Sequence, residues 1–279
     1  MQSGNNANNF LVDTNQFQGT ENWAQIAQAK IHGILQVKGV LIRASQGLMA
    51  DTLFQRNALG ADDAGLYRGF YHTVMPTGTN YTQLSASAKA QAAFFYHLVA
   101  AQNGWQGRCL NPGVDVEANP AGLSTLQYTY WLEQFLVALE GFFGSRWPLK
   151  PMLYLSPSKC ASLLGNTTTF SAYPLWVADW GVNQPADFGG WTEWLCWQWS
   201  SPGPLAGVPG QTDYDEWASS QFPEPIVPEV TPSKSPSTVS SKSPSTVSVS
   251  PIPHDLSQLA GSLQQAATDL LTLAKDWSA

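Results

Sequence analysis

Residues 113–117 read "GVDVE", in which valines alternate with two acids, and a long amphipathic segment lies on each side of them. The flanking segments, 82–101 and 124–143, have the length and the apolar spacing of helices. A strand bordered by two helices is the repeating unit of a parallel sheet covered by helices. The stretch therefore predicts an α/β fold.

The alternation of short apolar runs with longer helical segments continues through residues 1–222, which form the first predicted domain. It predicts strands at 10–13, 40–44, 68–72, 113–117, 152–156, 175–178, 195–199 and near 212–214. It predicts helices at 21–30, 55–64, 82–101, 124–143 and 158–163. Eight strands in a domain of this length fit a small closed barrel, and the late strands leave little room for helices between them. We therefore expect a TIM-like barrel that lacks helices near its end.

The chain has 279 residues, of which 43% are hydrophobic and 12% are charged, so it can build a large core and each of its few charges is informative. A net charge of −7 argues against nucleic acid as the main partner, because phosphate binding needs basic side chains. No run of about 18 apolar residues occurs, so no membrane span is expected. The opening "MQSGNNANNF" lacks the basic and apolar regions of a secretory signal peptide.

Motifs for metals, cofactors and activated nucleophiles are missing from the sequence. Cys109, Cys160 and Cys196 are widely spaced, which predicts buried free thiols rather than a zinc site. The four histidines show no metal-ligand spacing, and His72, at a predicted strand end, is expected to be structural rather than catalytic. Neither a GxSxG elbow nor a phosphate-binding glycine loop occurs. We expect no metal and no cofactor.

Composition changes sharply after residue 222. Residues 223–253 are rich in Ser, Pro and Thr and contain "SKSPSTVS" twice in tandem, which predicts a disordered linker. Residues 254–279 place apolar residues at alternating steps of three and four, the pattern of an amphipathic heptad helix. The members of this seam are Leu256, Leu259, Leu263, Ala266, Leu270, Leu273 and Trp277. We expect this short helix to oligomerise or to dock on a larger assembly; packing back onto the first domain is the alternative.

Four acids lie at or near the ends of predicted strands. Side chains alternate along a strand, so Asp115 and Glu117 point the same way, with backbones about 6.6–7 Å apart. Asp13 ends the first strand and Asp213 lies near the last, and these two strands are neighbours in a closed barrel. All four carboxylates can then meet at the mouth formed by the strand ends, where barrel enzymes keep their active sites. The alternative is that they are ordinary strand-end acids or helix caps.

Such a cluster of acids has a chemical use. Like charges held close together raise at least one pKa, and a carboxyl group with a raised pKa can act as a general acid near neutral pH. Cleavage of a glycosidic bond requires a proton donor and a second carboxylate. The cluster therefore favours a glycoside hydrolase.

Aromatic residues support a sugar substrate, because aromatic faces pack against the apolar faces of sugar rings. Six tryptophans fall close together: Trp176, Trp180, Trp191, Trp194, Trp197 and Trp199. At least half of them are expected in the core, since Trp is largely buried on average. The substrate-binding candidates are Tyr71, Tyr154 and Trp176, each near the C-terminal end of a predicted strand, together with Gln198 of the Trp-rich segment.

Seven motifs occur in the order found in the family 25 glycoside hydrolases, the Chalaropsis-type lysozymes, and the first domain resembles that family over residues 10–217. "FLVDTNQFQGTENW" is similar to its opening "DVSxYQGxxDW", and "LIRASQGLMADTLFQRNALGADDAGLYRGFYH" to its "IRASEG" block. "GVDVE" is similar to its "LDVE"; its later strands and closing segment resemble "MLYLS", "PLWVADW", "WLCWQWSS" and "GVPGQTDYDEW". Gln46 stands where the family usually carries Glu, Phe17 where Tyr is usual, and Asn22 where an acid is common.

The resemblance implies a (β/α)5(β)3 barrel that hydrolyses the β-1,4 bond between N-acetylmuramic acid and N-acetylglucosamine in peptidoglycan. It implies that Glu117 is the general acid and that Asp115 orients or charge-stabilises the acetamido group of the substrate. Asp13 and Asp213 would shape the acidic pocket and hold the sugar or water. Because Asp115 and Glu117 are neighbours on one strand, which suits opposite faces of a sugar ring poorly, we hypothesise substrate-assisted catalysis with the acetamido oxygen as nucleophile.

Other functions stay open at this point. A wall-binding or structural module of a phage tail or injection apparatus, with lapsed catalysis, is the alternative, since a fold does not guarantee chemistry. A chitinase-like hydrolase has less support, because the "DxxDxDxE" strand expected there is absent. The expected partner is bacterial peptidoglycan. Without a signal peptide, the protein would reach the wall by lysis, with a holin, or as part of a phage particle.

Overall fold

The computed structural model describes residues 1–144 and 147–227. The predicted heptad helix and all but the first few residues of the predicted linker lie outside the described residues.

Eight strands close into a barrel. In chain order the strands of the structure are β1 (Asn9–Thr14), β2 (Lys30–Ile31), β3 (Leu35–Gln46), β4 (Met49–Ala50), β5 (Tyr67–Thr73), β6 (Gly113–Asp115), β7 (Met152–Leu155), β8 (Leu175–Ala178), β9 (Cys196–Pro204) and β10 (Gln211–Trp217). The ring runs β1-β3-β5-β6-β7-β8-β9-β10, and β10 pairs back with β1. The short strands β2 and β4 pair with β3 outside this ring. The predicted closed barrel of eight strands with helices is confirmed.

The helices precede β8. They are α1 (Trp23–Ile26), α2 (Phe54–Asp63), α3 (Tyr81–Ala100), α4 (Thr125–Phe143) and α5 (Pro157–Leu164), with a 3-10 turn at Gln16–Gln18. Between β8 and the end of β10 the described chain contains no helix. None of the helices in the described part is both long enough and apolar enough to span a bilayer.

Local sequence sets the starts of the long helices. The side chains of Asn80 and Ser124 accept hydrogen bonds from backbone N–H groups in the first turns of α3 and α4. Ser156 does the same for α5, where Pro157 occupies the first turn. Such caps satisfy backbone donors that have no partner inside the helix. The predicted bounds of these helices are therefore correct to within one residue at each end.

The predicted first helix, 21–30, is too long. The α-helix ends at Ile26, and the following Lys30–Ile31 pairs antiparallel with the start of β3. His32 and Gly33 have φ values of 49° and 74°, which form the tight turn between these strands. Pairing with β3 overrides the helical spacing in this segment.

The last strand runs against its neighbours, although the sequence pattern suggested a parallel sheet. β10 pairs antiparallel with both β9 and β1, whereas β1 to β9 run parallel around the rest of the ring. The connection from β9 to β10 is only residues 205–210. A parallel return needs a crossover of about a dozen residues or more, so this short connection permits a hairpin alone. The first residues of β10 therefore lie at the mouth where the other strands end.

The core has two parts, which the alternation of side chains along each strand separates. The interior of the barrel holds one cluster, made of Leu11, Leu41, Tyr71, Leu110, Met152, Tyr154, Trp176, Ala178, Cys196 and Trp217. The larger cluster lies between the outside of the barrel and the helices, with Trp131, Phe135 and Tyr128 of α4 among its fully buried members. Cys109, Cys160 and Cys196 are buried free thiols.

His72 belongs to the outer cluster. Its ring stacks on Phe95 and Phe135, with centroids 5.5 and 5.3 Å away, and its ring nitrogens contact Ser45 and Gln91. Burial lowers the pKa of His72 to about 4, so the ring is neutral near pH 7. These contacts support a structural part for His72.

Gly60 of α2 lies tightly against Trp23 of α1. A Cβ atom at this position would lie 2.1 Å from Cδ1 of the buried Trp23 indole. The glycine therefore allows α2 to pack directly on α1. Gly141 of α4 is the opposite case, since no atom lies within 4 Å of an added Cβ.

We expect Gly60→Ala to lower the free energy of unfolding by on the order of 1 kcal/mol. Overpacking costs about 1–3 kcal/mol, which exceeds the gain of about 1 kcal/mol that alanine brings to a helix. The matched control, Gly141→Ala, should raise it by up to about 1 kcal/mol. Urea unfolding of both variants and the parent measures the difference; equal gains at the two positions would contradict the packing argument.

Candidate active site

The four predicted acids line one cavity at the mouth of the barrel. Its volume is about 280 Å³. Asp13 lies near the end of β1, Asp115 ends β6, Glu117 follows it, and Asp213 lies near the start of β10, opposite Asp13 in the strand pairing. The four predicted substrate contacts, Tyr71, Tyr154, Trp176 and Gln198, line the same cavity. The structure thus brings all eight residues together.

Asp115, the acid two residues before Glu117, is shielded from solvent. It is 7% exposed, and its Oδ2 accepts a hydrogen bond of 2.7 Å from the Thr73 hydroxyl. Its Oδ1 is buried and has no hydrogen-bond partner in the protein. Burial and the neighbouring charge of Glu117 raise the pKa of Asp115 to about 7. Asp115 therefore lines the cavity with one carboxylate oxygen that no other protein group engages.

Glu117 lies beyond the strand that was predicted to contain it. β6 ends at Asp115, but Val116 stays fully buried and its N–H donates to the carbonyl of Tyr154 at 3.1 Å. The alternation therefore continues for two more residues and directs Glu117 to the cavity. Partial burial raises the pKa of Glu117, and Lys159 opposes part of that rise. The residue is exposed to solvent, unlike Asp115.

Gln198 connects two cavity residues, Asp13 and Tyr154, with Trp180. Its side-chain oxygen accepts hydrogen bonds from the Tyr154 hydroxyl at 3.0 Å and from Nε1 of Trp180 at 2.9 Å. An indole N–H can only donate, so this contact identifies the amide oxygen. The amide nitrogen then faces Asp13 and donates to its Oδ2 at 2.7 Å. Gln198 thereby holds Asp13 in one orientation.

Asp215 is a fifth acid that the sequence reasoning missed. It is fully buried beneath the mouth, where Nε1 of Trp176 donates to its Oδ1 at 2.7 Å. Burial raises the pKa of Asp215 and of Asp13, and the negative charge of Asp215 adds to the rise at Asp13. The sequence contains a pattern that predicts the position of Asp215. Asp213 and Asp215 lie two residues apart in "TDYDE", as Asp115 and Glu117 do in "DVE".

Further polar residues complete the lining. Asn15, Arg43, Gln46 and Thr73 face the cavity with the predicted set. Arg43 forms an ion pair with Asp51, in which Nε and Nη2 each lie 3.0 Å from one carboxylate oxygen. The positive charge of Arg43 also opposes part of the rise in the pKa of Asp115. Basic and amide residues of this kind carry no sequence spacing that separates them from surface residues.

The predicted aromatic contacts form the floor and walls of the cavity. Trp176 packs edge-to-face on Tyr71 and Tyr154, with ring centroids 5.5 and 4.6 Å apart. Trp176 is the second residue of β8 rather than a residue near its C-terminal end, so it lies deeper than expected. All three rings are largely buried, so each exposes only a small area to the cavity.

The arrangement has the parts needed for glycosidic bond cleavage. Carboxyl groups with raised pKa values retain protons near neutral pH, and other carboxyl groups lie beside them in the same cavity. An α/β barrel that carries such groups at its mouth has the equipment of a glycoside hydrolase.

Comparison with known proteins gives the family. The model of "Glycosyl hydrolases family 25" matches residues 12–208. The chain belongs to glycosyl hydrolase family 25, and it is a glycoside hydrolase.

Individual relatives agree with this family. The chain is 29% identical to "Lysozyme M1" of Streptomyces globisporus over 75% of this chain and 67% of that protein. It is 33% identical to the "N,O-diacetylmuramidase" of Chalaropsis sp over 57% of this chain and 75% of that protein. The crystal structure of the bacterial lysozyme from Streptomyces coelicolor matches with a TM-score of 0.62 and 28% identity, over 76% of this chain and 93% of that chain.

The buried acids make stability depend on pH. A carboxyl group has a pKa of about 4 in an unfolded chain, and that of Asp115 is about 7 in the fold. The folded state binds the extra proton, so its stabilisation is complete below about pH 4 and is lost as the pH rises through about 7.

We expect Asp115→Asn to remove this loss. Relative to the parent, the free energy of unfolding of the variant should rise between about pH 4 and about pH 7, by at most about 1.4 kcal/mol per pH unit. Urea unfolding at several pH values measures it. Asp63→Asn, at an exposed position on α2, is the matched control and should leave the pH dependence unchanged. A parallel pH dependence for Asp115→Asn and the parent would contradict the argument.

Proposed function

We propose that this protein is an N-acetylmuramidase, a lysozyme that hydrolyses the β-1,4 bond between N-acetylmuramic acid and N-acetylglucosamine in bacterial peptidoglycan. The observation that carries the proposal is the cavity at the barrel mouth, where Asp13, Asp115, Glu117 and Asp213 face one space. Membership of family 25 and the names of the similar proteins, lysozyme and N,O-diacetylmuramidase, support the substrate. The order of helices and strands supports a (β/α)5(β)3 barrel.

Glu117 is the proposed general acid. It protonates the glycosidic oxygen as the bond breaks, and the resulting carboxylate then accepts a proton from the attacking water. Its raised pKa keeps the acid form populated nearer to neutral pH, and its exposure gives it access to water. Asp215 is fully buried and lacks that access.

Asp115 is the proposed partner of the acetamido group. In this proposal its Oδ1, which has no partner in the protein, accepts the acetamido N–H, while Thr73 fixes the other oxygen. An oriented acetamido oxygen attacks the anomeric carbon, and the carboxylate stabilises the positive charge that develops on the group. Asp13, held by Gln198, and Asp213 bind sugar hydroxyls or water on the other side of the cavity.

The ring order gives an alternative role to Asp213. β6 and β10 are four positions apart in a ring of eight, so Glu117 and Asp213 face each other across the mouth. A water held by Asp213 could attack directly, which inverts the anomeric carbon, whereas attack by the acetamido oxygen retains its configuration. NMR of the first-formed anomer decides between them, since an inverted product would contradict substrate assistance.

We expect Glu117→Gln to lower kcat on purified peptidoglycan by about 10²–10⁴-fold or more, because the amide keeps the shape but cannot donate the proton. Mass spectrometry of the digest gives the rate and identifies the bond that is cut.

Glu193→Gln, at an exposed position outside the cavity, is the matched control and should cut as the parent does. Parent-like digestion by Glu117→Gln would contradict its assignment. A parent that leaves peptidoglycan intact would favour the lapsed wall-binding module instead.

The segment after residue 222 has a separate proposed role. We propose that residues 223–253 form a flexible tether and that residues 254–279 form a helix that joins the enzyme to itself or to a larger assembly, such as a phage particle. The support is the tandem repeat and the heptad spacing. Sedimentation and circular dichroism of the 254–279 peptide test self-association; a monomer without helix would contradict it. Delivery by lysis, with a holin or on a particle stays a prediction.

A further inference from the structure

Trp180 differs from the other tryptophans of its segment. It is 51% exposed, at the mouth of the barrel, two residues after the end of β8. Four neighbours belong to the core and are each at most 4% exposed: Trp176, Trp191, Trp194 and Trp197. Single exposed apolar residues are common and need no explanation by themselves. Trp180, however, makes contacts that indicate a role for its exposure.

The indole of Trp180 is tied to the cavity. Its Nε1 donates to the side-chain oxygen of Gln198 at 2.9 Å, and Gln198 in turn donates to Asp13. The backbone on each side is also held, because the N–H groups of Asp179 and Gly181 donate to carbonyls of β9 at 3.3 and 3.4 Å. The ring is therefore both exposed and fixed in position, so a ligand that packs on it has little side-chain freedom left to remove.

The opposite side of the mouth is also apolar. β3 and β8 are four positions apart in the ring of eight. The turn after β3 carries Leu48, and β4 begins with Met49; both side chains are exposed. The line from this turn to Trp180 crosses the line from Glu117 to Asp213. A chain molecule that lies along the first line presents a linkage to the acids on the second.

We propose that the Trp180 indole is a platform on which one sugar ring of the murein chain stacks, beside the linkage that is cut. This inference rests on the proposed muramidase function and names a binding residue for it. The apolar C–H face of a pyranose ring packs on the indole, and its hydroxyl groups remain free for the polar lining of the cavity. The platform binds substrate and transition state alike, so its loss affects KM rather than kcat.

Two substitutions distinguish stacking of a sugar on the Trp180 ring from positioning of Gln198 by the indole N–H. Trp180→Ala removes the ring and the hydrogen bond to Gln198, whereas Trp180→Phe keeps an aromatic face and removes only the hydrogen bond. Tyr81→Ala is the matched control, because Tyr81 is 48% exposed on α3 and lies outside the cavity.

The test is steady-state cleavage of soluble, peptide-free murein oligosaccharides by the full chain. We expect Trp180→Ala to raise KM about tenfold with kcat within about threefold of the parent, and Trp180→Phe to keep KM within about threefold. Tyr81→Ala should match the parent. Calorimetry measures the affinity for the same oligosaccharides when each substitution is combined with Glu117→Gln. Trp180→Ala should bind more weakly than Trp180→Phe, and Tyr81→Ala should bind as tightly as the Glu117→Gln single variant.

Two results would overturn the platform. An unchanged KM and affinity for Trp180→Ala would mean that no sugar stacks there. Equal losses of kcat in the Ala and Phe variants, with KM unchanged, would mean that Trp180 only positions Asp13 through Gln198. Failure of the parent to cut the oligosaccharides would instead contradict the proposed function, so the two failures are distinguishable.

Discussion

The antiparallel pairing of β1 with β10 is the constraint on which the site depends. It joins the first strand of the domain to the last and closes the ring. It also sets Asp13 directly opposite Asp213, acids that are distant in sequence. The reversed direction of β10 then carries Asp215 down into the barrel, where Trp176 holds it below Asp13. A parallel last strand would have put its first residues at the other end of the barrel.

Closure of the barrel also explains why so many acids can be tolerated together. Removing carboxyl groups from water favours their neutral form, and the resulting pKa shifts reduce the repulsion that several negative charges would exert. Neutral carboxyl groups can share hydrogen bonds with each other and with Gln198 and Trp176. The same desolvation that prepares a proton donor therefore destabilises the fold as the pH rises. The apolar cluster beneath, inside the barrel, offsets that cost.

Much of the fold follows from local pattern. The eight strands of the ring can be predicted because short apolar runs alternate with capped amphipathic helices. The alternation of side chains along each strand and the closure of the ring predict that four acids converge: Asp13, Asp115, Glu117 and Asp213. The direction of β10 depends on a short loop, which the pattern of helices and strands does not reveal. The early end of α1 at Ile26 depends on pairing with β3. These features are set by contacts between segments, which spacing alone does not report.

The site shows the same division. Asp215 obeys the alternation rule that revealed Asp115 and Glu117, so the sequence contained its signal. Arg43, Asn15 and Thr73 carried none, since isolated polar residues are frequent on strand ends. Exposure was the hardest property to read: the Trp-rich segment has one composition, yet packing buries most of its rings and leaves Trp180 half exposed.

Depth in the barrel separates the possible roles of the acids. A general acid must regain its proton from water in every turnover, so it has to reach solvent as well as substrate. Asp215 is fully buried and lies too deep for that. Burial raises the pKa of Asp13 and of Asp215, the charge of Asp213 adds to both rises, and the side chain of Gln198 fixes Asp13 in place. Asp115 lines the cavity but is shielded from solvent, which suits binding better than proton exchange. Glu117 combines exposure with a raised pKa, and this combination supports the assignment of the proton donor independently of its motif.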